Sequence, residues 1–385
     1  MESGNPWVDL NERYEYDSEA QFLVFVEQYA EAVALAGSDE ISKQRMALVA
    51  ADNLAELLLH RHKRRILRLA SESNDLDIPR LDRSDLREFE RDFGARVRLA
   101  RKGGGKGMAE SMLWPVLDDV DDAIFRVGHA YRNRVYHADH HNPAVLPLIT
   151  TAYMSAVGTS FVRFQPKNVG SSWTATTAKL AKYGYVPSED VRLGSFFRPA
   201  PAAEAILAYL GAKLTLSLVE ARDSLQADLI ARTTWADAMV EDLLKQGMPK
   251  GRLEWSLRWG EFWEIAGVDP TVVGLDRKLS DLWVSMLGNA VENDSRFKER
   301  NDLLGERNAR VAELAEDFKS KFDLGDVQRI KRLAERLDSA RSLGHLFDRY
   351  RHLDQKMELI EGQLDYAAIG WDRMVQMAED EARGK

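Results

Sequence analysis

With 385 residues, 45% of them hydrophobic, the chain can bury a sizeable core in two or three domains, and its many Ala, Leu, Glu and Arg residues favour helix over sheet and exclude disorder. A net charge of -9 excludes a protein that coats nucleic acid through a broad basic surface, but His60 to Lys106 holds fourteen Lys or Arg against eight Asp or Glu, a local electropositive stretch. The absence of cysteine excludes disulfides, thiolate metal sites and cysteine nucleophiles.

The first residues, MESGNPWVDLNERYEYDSEA, lack the charged-then-apolar order of a signal peptide, and no apolar run approaches the roughly twenty residues that span a bilayer. A cytoplasmic protein with no membrane partner is expected. Ser18 to Ala36 carries Phe22, Val24, Phe25, Tyr29 and Val33 at helical spacing. From Ser42 to about Ala70 a second helix repeats Met46, Ala50, Leu54, Leu57 and Leu58 on a packed face. Asp52, Glu56 and His60 are i,i+4 neighbours on the opposite face, expected to meet solvent, where the basic run His60 to Arg65 follows.

Asn74 to Arg83 reads as a loop and Ser84 as the N-cap of a helix to about Leu99. The glycine-rich run Arg101 to Gly107 breaks that helix. It is not a phosphate loop, because Lys106 is followed by Gly107 where that motif needs Ser or Thr. The next helix is expected from Trp114-Pro115, with Asp118, Asp119, Asp121 and Asp122 complementing its dipole, and Leu117, Val120, Ile124, Val127, Tyr131 and Val135 as a core stripe. Another helix starts at Asn142-Pro143 and runs through Leu148, Tyr153, Val157 and Phe161. These helices with short connections predict an antiparallel bundle over residues 1–165.

Residues 166–201 are rich in Pro, Gly, Ser and Thr and read as an irregular linker. Residues 202–385 return to helix, including one from Ala202 to Gln246, and form the expected sensor, regulatory or dimerisation domain. Leu343, Leu346, Tyr350, Leu353, Met357, Ile360, Leu364, Ala367, Trp371 and Met374 alternate three and four apart, a coiled-coil-like seam on a long terminal helix. Trp255, Trp259 and Trp263 recur every four residues and read as buried anchors between helices, with nucleobase stacking as the alternative. The whole chain is therefore expected to be all-α.

The chemistry-bearing residues crowd into Tyr131 to His141, YRNRVYHADHH. Arginine is suited to hold a phosphate bidentately and histidine to move a proton near neutral pH, a pair fit for attack of a ribose 2′-hydroxyl on its own phosphodiester. Arg132 and His137 lie five apart, about 140° round an ideal helix, so they share a site only if the helix ends between them or a second copy completes it. Asn133 is a candidate to orient the phosphate or the imidazole, and Tyr136 to stack on a base. His137, Asp139, His140 and His141 offer metal-ligand types, but neither an HxHxDH order nor a Glu-x-x-His pair accompanies them, and no metal or other cofactor is expected.

Arg132, Asn133 and His137 at the end of a bundle helix, preceded by a helix carrying Asp52, Asn53 and Glu56, resemble the motif of the HEPN superfamily of helical ribonucleases. The resemblance spans about Ile41 to Phe164. It implies a metal-independent endoribonuclease of toxin or antiviral-defence type, in which two copies pair so that their motifs face one cleft. It further implies Arg132, His137 and Asn133 as catalytic residues. Tyr136, Arg134, Asp52 and Glu56 are taken as substrate-binding residues. RNA, a second copy, and an antitoxin or regulatory protein are the implied partners. The alternative is a non-catalytic helical adaptor that binds RNA or protein.

Overall fold

The computed structural model describes residues 19–72, 92–102, 117–137, 142–164, 179–186, 199–251, 253–254, 258, 269–288, 293–317 and 325–383. Among these residues the fold is all-α, with no strand. The chain divides into two compact units, Met1–Asp228 with Leu337–His352, and Leu229–Arg336 with Leu353–Lys385. The first unit thus reaches beyond the expected boundary at residues 166–201.

In the first unit, α1 (Glu19–Ala36) buries Phe22, Phe25, Tyr29 and Val33, whereas Val24, off that stripe, is exposed. Phe25 stacks on Phe161 of α5 (Leu146–Arg163) with ring centroids 3.9 Å apart, and the Tyr29 hydroxyl donates to the Met154 carbonyl at 3.2 Å. Each large side chain buried this way contributes roughly 1.5–3 kcal/mol of apolar burial. Helix α2 (Ile41–Glu72) packs against α1, α3 (Phe93–Lys102), α4 (Asp119–His137) and α5. Its buried stripe is Ala47, Leu48, Ala51, Leu54, Ala55, Leu58 and Leu59, and Met46, expected inside, is 59% exposed.

Acids set the starts of α3 and α4. Asp92 caps α3, its two carboxylate oxygens accepting from the Gly94 and Ala95 N–H groups at 2.9 Å each. Asp118 caps α4, accepting from the Asp121 N–H at 2.8 Å while its own N–H turns to the Asp121 carboxylate, so the described helix opens at Asp119. The expected starts at Ser84 and Trp114-Pro115, the loop at Asn74 to Arg83 and the glycines after Lys102 lie outside the described residues. In α4 the expected stripe is buried except Val120. Gly128 admits the Tyr153 ring of α5: a Cβ there would sit 2.3 Å from the Tyr153 Cδ1.

The expected helix from Ala202 to Gln246 is two helices, α6 (Pro199–Gly211) and α7 (Leu218–Lys245). Gly211 ends the first, and Ser217 restarts the second by taking the Ala221 N–H on its carbonyl. α6 packs on α5 and α1, which ties this segment to the first unit. The division between units falls within α7 and within α11 (Leu343–Ala382). In the first unit Asp228 accepts from Tyr350 at 2.8 Å and from the Asn142 amide at 3.1 Å.

The second unit contains α8 (Pro270–Gly288), α9 (Asn293–Asp317) and α10 (Gly325–Glu335). Leu353, Met357, Ile360, Leu364 and Ala367 of the terminal seam are buried there within a single chain. Arg232 bridges Asp354 at 2.5 Å and Glu361 at 2.7 Å on the same side of that seam. Trp255, Trp259 and Trp263 lie outside the described residues. Among the described residues no helix is long and apolar enough to cross a membrane.

Candidate functional site

Asp52 is the centre of a polar cluster built by four helices of the first unit. The sequence placed it on a solvent face, but its side chain is buried because α4 and α5 cover it with groups that need a carboxylate. Its Oδ1 lies 2.8 Å from the His129 Nδ1 of α4 and accepts from the Tyr153 hydroxyl of α5 at 2.9 Å. Its Oδ2 stands 3.3 Å from the Arg132 Nε, an ion-pair distance without hydrogen-bond alignment. Burial foremost, then the Asp52 charge, hold the Tyr153 phenol well above its ordinary range, so the hydroxyl keeps its proton as a donor.

His129 and Arg132 are three residues apart on α4, about 60° round the helix, and so face Asp52 together. Phe93 of α3 stacks flat on the His129 ring, centroids 3.8 Å apart and planes 3° from parallel. Asn133 accepts from Arg132 Nη1 at 3.0 Å, and the guanidinium lies 5.3 Å from the centroid of the Tyr136 ring, itself 65% exposed. Arg132, Asn133, Tyr136 and Asp52 are thus gathered in one place. Arg134 is not: it faces the other side of α4, with its guanidinium 5.1 Å from the Tyr131 ring centroid. α4 remains helical through His137, so it does not end between Arg132 and His137, and the two backbone positions diverge within one protomer. The His137 side chain and Ala138 to His141 lie outside the described residues.

Glu56, one turn on from Asp52, pairs with the Arg96 guanidinium of α3 at 3.7 Å. His60, one turn further, is held below its ordinary range by burial and then by the charges of Arg96 and Lys63. Ligand-type atoms of Asp52, Glu56 and His129 lie within 4.8 Å of one another. Both carboxylates already face guanidinium groups, of Arg132 and Arg96, so their charge is balanced by side chains.

No protein-family model, curated protein or solved structure matches the chain. The assignment of roles therefore rests on the residues themselves.

Sequence reasoning missed His129, Tyr153, Phe93 and Arg96. A signal for Asp52 existed: its neighbours Leu48, Ala51, Ala55 and Leu59 define an apolar stripe that includes position 52. A polar residue inside such a stripe calls for partners on facing helices, and His129 with Arg132 at i,i+3 supplies two. Phe93 and Arg96 carried no comparable mark, because their position depends on how α3 docks.

Proposed function

We propose that the chain is a metal-independent endoribonuclease, with Arg132 as the phosphate-holding group and His137 as an acid/base group, assembled into a site completed by a second copy. One observation carries the reading: a buried carboxylate on α2 stands 3.3 Å from an arginine on α4 that Asn133 also holds and that lies beside an exposed tyrosine. A fixed guanidinium holds phosphate with less loss of side-chain freedom than a mobile one, and the Tyr136 ring beside it is an accessible stacking surface. The divergence of Arg132 and His137 along a continuous helix is the reason for requiring two copies. Asp52 acts through Arg132 in this reading, since its burial keeps it from RNA, and Glu56 acts through Arg96. The second unit, or a separate antitoxin-like protein, holds the activity in check in a cytoplasmic setting.

The test is cleavage of RNA in EDTA by the wild type, Arg132→Ala and His137→Ala, with the oligomeric state measured alongside. Cyclic 2′,3′-phosphate ends, made only by the dimeric wild type and reduced at least about a hundredfold in either variant, are expected. Equal product from all three proteins would sink the ribonuclease reading, and RNA binding without cleavage by a monomer would favour the adaptor.

A further inference from the structure

The geometry points to His129 as the general base of this site, a catalytic residue that the Arg132-to-His137 motif does not contain. The inference rests on the ribonuclease reading and assigns a second proton-transfer group to it. Three features set His129 apart. Its Nδ1 is 2.8 Å from the buried Asp52 carboxylate, so the imidazole carries its proton on Nδ1 and presents the Nε2 lone pair on the opposite edge of the ring. The Phe93 ring fixes the imidazole plane by flat stacking, and Tyr153 fixes the carboxylate from its other side. The side chain is still 23% exposed, as is that of Arg132 one turn away, and no other hydrogen-bond partner of His129 stands among the described residues.

On one protomer, then, the histidine that shares a face with the phosphate-holding arginine is His129. A rise of about 4.5 Å separates the two α-carbons along the axis, against about 7.5 Å and a different azimuth for His137. In the step this supports, the His129 Nε2 takes the 2′-hydroxyl proton as the 2′-oxygen bonds to phosphorus. The bond from phosphorus to the 5′-oxygen breaks, and that oxygen takes a proton from the His137 imidazolium. The products are a 2′,3′-cyclic phosphate and a 5′-hydroxyl, and the two histidines exchange protonation states. Among the described residues, the charged and titratable groups round His129 are Asp52 and Glu56 from α2, Arg96 from α3, Arg132 from α4 and Tyr153 from α5.

The test is the pH profile of RNA cleavage by the full chain, comparing the wild type, Arg132→Ala, His129→Gln and Asp52→Asn, with thermal melting as the check of folding. The glutamine amide keeps a donor toward Asp52 but cannot take the proton. The expected result is a bell-shaped wild-type profile, a fall in kcat of about a hundred- to ten-thousandfold in His129→Gln with loss of the acid limb, and a displaced acid limb in Asp52→Asn, whose loss of the Arg132 counter-charge also raises KM. Should His129→Gln fail to fold, the wild type decides: the His129 ring protons, assigned by their proximity to Phe93, must titrate at the midpoint of the acid limb. Arg132-dependent cleavage with an unchanged acid limb in His129→Gln, or a ring titration away from that limb, overturns the role of His129 and leaves the ribonuclease reading intact. No Arg132-dependent cleavage by the wild type removes both.

Discussion

Asp52 answers at once to an imidazole, a phenol and a guanidinium, and the cost of removing it follows from that crowding. Asp52→Ala leaves the Tyr153 hydroxyl without its acceptor and Arg132 without its counter-charge, so a loss of about 3–5 kcal/mol in urea unfolding is expected. Tyr153→Phe keeps the ring and removes one donor, and should cost nearer 1 kcal/mol. Similar losses from the two would show that the carboxylate matters only through the tyrosine. Asp121 gives a second measurement. Burial and the neighbouring Asp118 charge, against the pull of Arg163, push its carboxyl up to about 6 from 3.8. The folded chain then binds a proton that the unfolded chain has already lost, so this group's contribution falls as pH rises from about 4 to about 6. Asp121→Asn should flatten that part of the stability profile, by at most roughly 3 kcal/mol, and an unaltered slope would exclude Asp121 as its source.

At the scale of helices, close approach is what periodicity could not show. The stripe on α4 was legible because its apolar residues repeat every three or four positions, and so were α1 and the terminal helix. The burial of Asp52 was legible only in part: position 52 falls within the apolar stripe of α2, but a carboxylate is ordinarily exposed and its partners Tyr153 and His129 arrive from other helices. The single expected helix over Ala202 to Gln246 failed for a local reason: Gly211 and the Ser217 cap outweigh the helical propensity of the residues on either side. Gly128 shows the same limit, for its sequence reads as an ordinary helical glycine. In the fold Tyr153 occupies the space a side chain would take. Gly128→Ala sets roughly 1 kcal/mol of helix propensity against overpacking of about 1–3 kcal/mol, so a net loss in thermal stability is expected. Gly362→Ala on α11, where none of the described residues lies within 4 Å of the added Cβ, should instead gain about 0.5–1 kcal/mol. The same sign for both would mean that contact with Tyr153 does not govern position 128.

Over the whole chain, the two units differ in what holds them. The first is anchored by stacked aromatics and by a carboxylate inside its core. The second places a charged cluster beside its apolar seam, where Arg232 meets Asp354 and Glu361, with Asp354 almost wholly buried. That seam was legible as a helix in need of a partner, but not which partner, because three-four spacing serves a second copy as well as the same chain. Within the chain, Arg232 of α7 meets Asp354 and Glu361 beside that seam. Replacing Arg232 by methionine removes the charge that balances two carboxylates, one of them out of reach of water, and should cost about 3–5 kcal/mol. Pairing that change with Asp354→Leu should recover much of the loss, since no unpaired charge is then left buried at that position. If each compact unit unfolds as its own cooperative block, hydrogen exchange in Arg232→Met will accelerate across residues 229–336 and 353–385 while the helices round Asp52 keep their protection. Equal acceleration in both blocks would show that the division of the fold is not a division of its stability.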